Sequence, residues 1–105
     1  DRIQIEQVLI NLIKNAQEAC CKKGNPRIEV KMNSLSYRQC QIIVNDNGEG
    51  MLPEVMDKIF VPFFTTKSNG SGIGLSLCKQ IMNRHGGSIS ATSNISQGSS
   101  FILHF

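Results

Sequence analysis

The chain has 105 residues, of which 40% are hydrophobic and 18% are charged, so its length is that of one domain with one core. The net charge is only +3 and 6% of the residues are aromatic, which argues against a dedicated nucleic-acid binder. No apolar run approaches the roughly 20 residues of a membrane span, so no direct membrane contact is expected. The four cysteines lack zinc-ligand spacing, and we interpret them as reduced thiols that pack as small hydrophobes: Cys20, Cys21, Cys40 and Cys78.

The N-terminal segment predicts one amphipathic helix. Apolar side chains recur at steps of three and four over residues 3–21, and Gly24 is a natural stop after two lysines. Because this pattern begins at the first residue, we expect residues 1–105 to be one domain of a longer protein.

Two alternating segments follow and predict an antiparallel hairpin. Residues 27–32 and 40–46 alternate apolar with polar side chains, and the run at 33–38 predicts the turn between them. We expect the first strand to be half-buried, with Ile28, Val30 and Met32 on its buried side.

The second half of the chain combines a long irregular segment with three regular ones. Residues 45–72 are rich in glycine, proline and asparagine and hold at most a short helix over 53–59. A further helix is predicted over 74–85 and two strands over 88–93 and 100–105. This order predicts an α+β fold, a two-layer sandwich whose mixed, mainly antiparallel sheet carries helices on one face.

Opposite the apolar stripe of the first helix lies a polar face with Gln7, Asn11, Lys14, Asn15 and Glu18. Two asparagines one turn apart are unusual there, because asparagine is a poor helix former. Amide oxygens are hard, neutral ligands that suit Mg²⁺ beside substrate phosphates. A solvated helix face explains the glutamine, the lysine and the glutamate, whereas the asparagine pair favours a metal site.

The segment DNGEG, residues 46–50, follows the second strand. Asp46 can accept the exocyclic amine of a purine, and Gly48 and Gly50 would let the backbone turn sharply and bring a flat base close. By itself the motif is equally typical of a plain turn, since Asp-x-Gly is common in turns.

The segment VPFFTTK, residues 61–67, combines apolar side chains with groups that bind phosphate. We expect Phe63 and Phe64 to be buried anchors, and Thr65, Thr66 and Lys67 to offer hydroxyls and a charge to phosphate. A solvated loop with an apolar staple is the alternative.

Gly70, Gly72 and Gly74 stand directly before the second long helix. Their spacing is not the dinucleotide fingerprint, which needs G-x-G-x-x-G after a strand, and no Walker loop follows. Backbone amides at a helix N-terminus bind anions, so the stretch either binds phosphate or is a flexible turn into the helix.

Four of these segments, taken in order, resemble the sequence boxes of sensor histidine kinases. The matching residues are Asn11-Leu-x-x-Asn15-Ala, Asp46-x-Gly48-x-Gly50, Phe60-x-Pro62-Phe63 and Gly72-x-Gly74-Leu75. They resemble the asparagine, first glycine, phenylalanine and second glycine boxes of the catalytic ATP-binding domain. The resemblance implies the Bergerat-type fold, shared with gyrase and the ninety-kilodalton heat-shock chaperone, with its N-terminal strand lying before residue 1.

The resemblance implies a role for each matching residue. Asn15 would bind Mg²⁺ with support from Asn11, and Asp46 would bind the adenine amine. The residues expected to frame the base are Gly48, Gly50 and Met51. The residues expected at the phosphates are Lys14, Thr66, Lys67, Gly72, Gly74 and Leu75. Ser99 lies in GSSF, which resembles a third glycine box whose first glycine is replaced by Ser96.

Asn11 helps to separate a kinase from a hydrolase. In the gyrase-like relatives the residue one turn before the metal-binding asparagine is a glutamate that activates water, and an amide cannot accept that proton. The family keeps its phosphoacceptor histidine on a separate helical hairpin, and neither His85 nor His104 has such a context. The chain alone is therefore not expected to autophosphorylate.

The resemblance implies the ATP- and Mg²⁺-binding part of a cytoplasmic protein-histidine kinase in a two-component system. The implied partners are its own phosphoacceptor and dimerisation domain, a response regulator and, in the full-length protein, a second copy. Two alternatives stay open: an anti-sigma-type serine kinase on the same fold, and a non-catalytic nucleotide-binding module.

Overall fold

The computed structural model describes residues 2–36, 39–64 and 74–105, which form three helices and four strands. The bounds of these elements are α1 Arg2–Ala19, β1 Ile28–Ser36, β2 Gln39–Asp46, α2 Pro53–Met56, α3 Gly74–Arg84, β3 Ser88–Asn94 and β4 Gly98–His104. None of the described helices combines the length and the apolar character that a bilayer crossing requires.

The described strands form one antiparallel sheet in the order β1–β2–β4–β3. Each predicted hairpin is present, and the two hairpins join along β2 and β4. At one end of the sheet, Asp46 lies opposite Ile28 on one side and Ser99 on the other, and Ser99 lies opposite Ser93. Because residues directly opposite each other share a face, this register gathers four side chains at one end of the same face.

The two long helices pack on that face of the sheet and bury one core. The buried side chains of this core are Val8, Leu12 and Ala16 of α1, Ile42 and Val44 of β2, Ile59 after α2, Cys78, Ile81 and Met82 of α3, and Phe101 and Leu103 of β4. Each large aliphatic side chain contributes about 1.5–3 kcal/mol when it leaves water. The apolar stripes of the helices and the apolar side of the strands therefore face each other across one core, which confirms the two-layer α+β fold.

The first strand is longer and less buried than the sequence predicts. β1 continues to Ser36, so the predicted turn over 33–38 is wrong for the residues up to Ser36, which pair with β2 across a bulge. Val30 is 54% exposed and Met32 is 74% exposed, although both were expected on the buried side of the strand. The reason is topological, because β1 is an edge strand and the helices cover mainly the central strands.

Both early helices end sooner than predicted. α1 stops at Ala19, before the expected end near Gly24, and the Ala19 carbonyl accepts a hydrogen bond from the N–H of Glu49 at 3.3 Å. α2 stops at Met56 rather than at residue 59, because the chain tightens into turns closed by the N–H of Lys58 on the Val55 carbonyl.

The segment VPFFTTK also differs from the sequence prediction. Phe63 is 78% exposed and has a φ of 68°, so it is not the buried anchor that the sequence predicts. It occupies the left-handed position of a turn closed by the Phe64 N–H on the Val61 carbonyl. Phe60 packs against the core instead, and the Lys79 ammonium lies 5.7 Å from the centre of its ring.

The cysteines are free thiols with different surroundings. Cys20 and Cys78 are buried and Cys40 is half-buried, as expected for small hydrophobes. Cys21 is exposed, so the packing interpretation is wrong for that residue.

Candidate functional site

Asp46 ends β2, and its carboxylate is held by two backbone N–H groups. The Oδ1 atom accepts hydrogen bonds from Gly48 at 2.9 Å and from Ser99 at 3.3 Å. The first bond closes a tight turn after the strand, and the second comes from the neighbouring strand β4. Both bonds use the same oxygen, so within the described part of the chain Oδ2 accepts none and is available to a ligand.

Gly48 and Gly50 are required by contacts with protein backbone. A Cβ atom on Gly48 would lie 2.6 Å from the carbonyl oxygen of Ala19, at the end of α1. Gly50 has a φ of 70°, and a Cβ atom there would collide with the carbonyl oxygen of Asn94. The sequence suggested that these glycines admit a flat base, but the directions that a side chain would take point at α1 and at β3. The two glycines thus clamp the DNGEG segment between a helix end and a hairpin.

Asn47 is a structural residue of the site that the sequence reasoning missed. Its Nδ2 donates to the carbonyl of Asn25 at 2.8 Å, and its Oδ1 accepts the N–H of Arg27 at 2.7 Å. The same oxygen accepts the Cys20 thiol at 3.5 Å. This one side chain therefore ties the loop before β1 to the segment that carries Asp46. The position between Asp46 and Gly48 gave no signal, because its partners lie about twenty residues away.

Ser93 is the second residue that the sequence did not indicate. Its Oγ accepts the N–H of Met51 at 2.8 Å, donates to the Gly98 carbonyl at 3.1 Å and lies 2.8 Å from the Oγ of Ser99. One strand residue thus joins Met51, which follows the DNGEG segment, to the β3–β4 turn and to β4.

The β3–β4 turn keeps a glycine-type backbone at Ser96. Ser96 has a φ of 68°, in the left-handed region that glycine adopts most easily, and its N–H bonds to the Glu49 carbonyl at 2.8 Å. Ser96, where the resemblance implies a glycine, therefore adopts the backbone of a tight turn that contacts the DNGEG segment at Glu49.

The asparagine pair lies on α1, where Asn11 contacts α3 through Cys78. Asn11 and Asn15 are half-buried and Lys14 is exposed on the same helix. The Nδ2 atom of Asn11 donates to the Cys78 sulfur at 3.7 Å, which turns the amide oxygen away from that sulfur. Burial raises the pKa of the Cys78 thiol, and the hydrogen bond from Asn11 opposes that rise. Asn15 lies one turn before Ala19, whose carbonyl accepts the Glu49 N–H, so this end of α1 contacts the DNGEG segment.

The predicted phosphate-binding residues are only partly described. Thr65, Thr66, Lys67 and Gly72 lie outside the described residues. Gly74 and Leu75 begin α3; Leu75 packs against the core, and a Cβ atom on Gly74 would meet no atom within 4 Å. Gly74 therefore differs from Gly48 and Gly50, because packing in the described structure does not demand a glycine there.

A shallow polar depression of about 170 Å³ adjoins Asp46 at the end of the β3–β4 hairpin. It is lined by Asp46, Thr92, Ser93, Asn94, Gln97, Gly98, Ser99 and Ser100. Small-molecule sites usually enclose about 300–1,000 Å³, so the depression alone is too small for a nucleotide. In the part of the chain that the structure describes, no group of three His, Cys, Asp or Glu side chains could hold a metal ion.

Comparison with known proteins places this arrangement among ATPase domains. Residues 1–105 match the family model described as histidine kinase-, DNA gyrase B- and HSP90-like ATPase. The chain is 40% identical over 101 residues to sensor protein FixL of Bradyrhizobium diazoefficiens and 42% identical over 103 residues to signal transduction histidine-protein kinase AtoS of Escherichia coli. These alignments cover 96% and 98% of this chain but only 20% and 17% of the two relatives.

A solved structure supports the same likeness. The catalytic domain of histidine kinase ThkA superposes with a TM-score of 0.84 at 39% identity, over 100% of this chain and 67% of that one. The fold of this chain is therefore that of a known histidine kinase catalytic domain.

Proposed function

Since this chain belongs to the family of histidine kinase-, DNA gyrase B- and HSP90-like ATPases, we propose that it binds Mg·ATP and presents the γ-phosphate for transfer to a histidine on another domain. The observation that carries the proposal is the Asp46 carboxylate, which is fixed by Gly48 and Ser99 through one oxygen only. The other oxygen would accept the 6-amino group of adenine. Met51, whose N–H is anchored on Ser93, would lie beside the base.

The amides of α1 fit a magnesium ion carried by the nucleotide. Asn11 and Asn15 carry neutral amide oxygens on one half-buried helix face. The amide nitrogen of Asn11 donates to Cys78, so the oxygen is the atom of that side chain that would face the metal. Mg²⁺ prefers a few oxygen ligands together with water and phosphate, and when bound it neutralises phosphate charge. Asn15 would be the ligand and Asn11 its support.

The phosphates would be held by positive charge and backbone amides. Lys14 is exposed on the same helix as the asparagines and would direct its ammonium to a phosphate bound there. The N–H groups at the start of α3 point out of the helix end, where they favour an anion. Thr66, Lys67, Gly72, Gly74 and Leu75 complete the proposed set. Phosphoryl transfer depends mainly on such positioning and charge stabilisation.

The residues of this chain favour transfer over hydrolysis. Asn11 stands where the gyrase-like relatives have a glutamate, and an amide cannot act as the base that activates water. Neither histidine is a suitable acceptor. The Nδ1 atom of His85 lies 2.8 Å from the Ile81 carbonyl at the end of α3, and His104 lies on the other face of the sheet from Asp46. The acceptor would therefore lie on a separate domain of a cytoplasmic, dimeric sensor kinase that passes its phosphate to a response regulator.

Nucleotide titration tests the proposal. A fluorescent, non-hydrolysable ATP analogue should bind in the presence of Mg²⁺, and Asp46→Asn should weaken that binding by roughly tenfold or more, the cost of losing a charged hydrogen-bond partner. Asp57→Asn removes an exposed carboxylate at the end of α2 and serves as the matched control. Failure of the unsubstituted chain to bind, or equal affinities for the Asp46→Asn and Asp57→Asn variants, would contradict the proposal.

A further inference from the structure

Ser93 is the residue through which three segments around Asp46 are joined. We infer that it is a positioning residue for adenine selectivity: it holds Ser99, and Ser99 holds the carboxylate that binds the 6-amino group. This inference rests on the proposed function, because it concerns the same nucleotide site.

The hydrogen bonds of Ser93 use the full capacity of its hydroxyl. A serine hydroxyl has one hydrogen to donate and two lone pairs to accept with. The hydrogen goes to the Gly98 carbonyl at 3.1 Å, and one lone pair accepts the Met51 N–H at 2.8 Å. The second lone pair is left for the Ser99 hydroxyl at 2.8 Å. Ser99 is thus the donor of that bond, and its side chain is fixed toward β3.

Ser99 in turn contacts the Asp46 carboxylate directly. The backbone N–H of Ser99 donates to Oδ1 of Asp46 at 3.3 Å, and the two residues lie opposite each other in the sheet. Ser93 lies opposite Ser99 on the next strand, so the three side chains form one row on the face that carries the helices. The neighbouring Ser90 points to the other face and is exposed, so it cannot take part.

Loss of the Ser93 hydroxyl would loosen the carboxylate more than it would alter the phosphate region. Ser99 would lose its partner, and the Met51 N–H and Gly98 carbonyl beside the base would lose theirs. Asp46 would keep its charge and its bond from Gly48 but would be held less firmly from β4. The affinity gained from the 6-amino group should fall, while affinity that comes from the triphosphate should change little.

A pair of ligands isolates this contribution. ATP and purine riboside triphosphate differ in the 6-amino group, which the second compound lacks, and they share the sugar and the phosphates. The dissociation constant for purine riboside triphosphate divided by that for ATP, both measured with Mg²⁺, therefore reports the amine contact, and a lower ratio means a weaker contact. Ser93→Ala should lower the affinity for ATP by roughly 3- to 10-fold, the effect of about one hydrogen bond, and that for purine riboside triphosphate by less than 2-fold. Ser90→Ala, on the other face of β3, should leave both affinities unchanged.

Three further variants keep the test decisive. Ser93→Thr retains the hydroxyl on a strand-favouring side chain and should preserve the ratio, and Ser93→Cys should lower it if Ser93→Ala does not fold. Ser93→Ala combined with Ser99→Ala should give no lower a ratio than the more severe single change, because both act on one chain of contacts.

An equal loss of affinity for both ligands in Ser93→Ala would overturn the inference, since it would indicate a purely structural role. Unchanged affinities for both ligands would overturn it as well. If Asp46→Asn abolishes the preference for ATP while Ser93→Ala leaves it intact, only this inference fails. If Asp46→Asn also leaves the preference unchanged, the proposed function fails together with it.

Discussion

Replacement of Gly48 by alanine tests whether the first glycine box acts through packing. The added Cβ atom would lie 2.6 Å from the Ala19 carbonyl oxygen and 2.8 Å from the Ala19 Cβ atom, closer than real Cβ contacts permit. Overpacking of this kind costs about 1–3 kcal/mol, and the stiffer unfolded chain offsets part of it, so we expect a net loss of about 1–2 kcal/mol. For a domain of this size that loss lowers the melting temperature by about 5–15 °C.

Urea denaturation followed by circular dichroism measures this loss, and Gly24→Ala is the matched control. No atom lies within 4 Å of a Cβ atom on Gly24, so its replacement should leave the free energy of unfolding unchanged or raise it by up to about 1 kcal/mol. The contact between Gly48 and α1 also fixes the Asp46 loop, so the affinity of Gly48→Ala for ATP should fall with its stability. A free energy of unfolding within about 0.5 kcal/mol of that of Gly24→Ala would refute the packing explanation.

Three further substitutions separate metal binding, backbone strain and phosphate binding. Asn15→Ala should lower ATP affinity about tenfold in Mg²⁺ and much less in EDTA, by isothermal titration; equal losses would count against a metal ligand. Ser96→Gly should raise the free energy of unfolding by up to about 1 kcal/mol in urea, because a left-handed backbone is strained for serine; a decrease would show that the serine side chain stabilises the turn. Gly74→Ala should preserve the melting temperature, because no described atom lies within 4 Å of the new methyl group. It should weaken binding of inorganic triphosphate, because the phosphates are proposed to lie at this helix end; unchanged binding would remove Gly74 from the proposed phosphate site.

The regular elements were predictable where the pattern is local. The apolar stripe of the helix predicted over 74–85 and the alternation of β4 depend on near neighbours in sequence, so both elements form close to their expected bounds. The end of α1 was not predictable, because a carbonyl of Ala19 is satisfied by Glu49, thirty residues away. Val30 and Met32 show the same limit, since alternation predicts which residues share a face but not whether a helix covers it.

The sequence suggests candidate site residues only where the residue type itself is unusual for its position. Asp46 and the asparagine pair stand out because a carboxylate at a strand end and amides within a helix are unusual. Asn47 and Ser93 carry no such signal, since asparagine in a turn and serine in a strand are ordinary, and their roles arise from contacts between distant segments. Phe63 was misjudged because hydrophobicity predicts burial, whereas its left-handed backbone position turns the side chain outward.

Phosphorylation of the full-length protein tests most directly whether this domain positions Mg·ATP for transfer to a histidine. With [γ-³²P]ATP and Mg²⁺, the protein should take up label that survives alkali and is lost in acid, as a phosphohistidine is, and Asp46→Asn should reduce the initial rate of labelling. Label that survives acid would indicate a phosphoserine and contradict the account. Labelling at an unchanged rate in Asp46→Asn would contradict it equally, because the phosphate would then not come from nucleotide bound at this site.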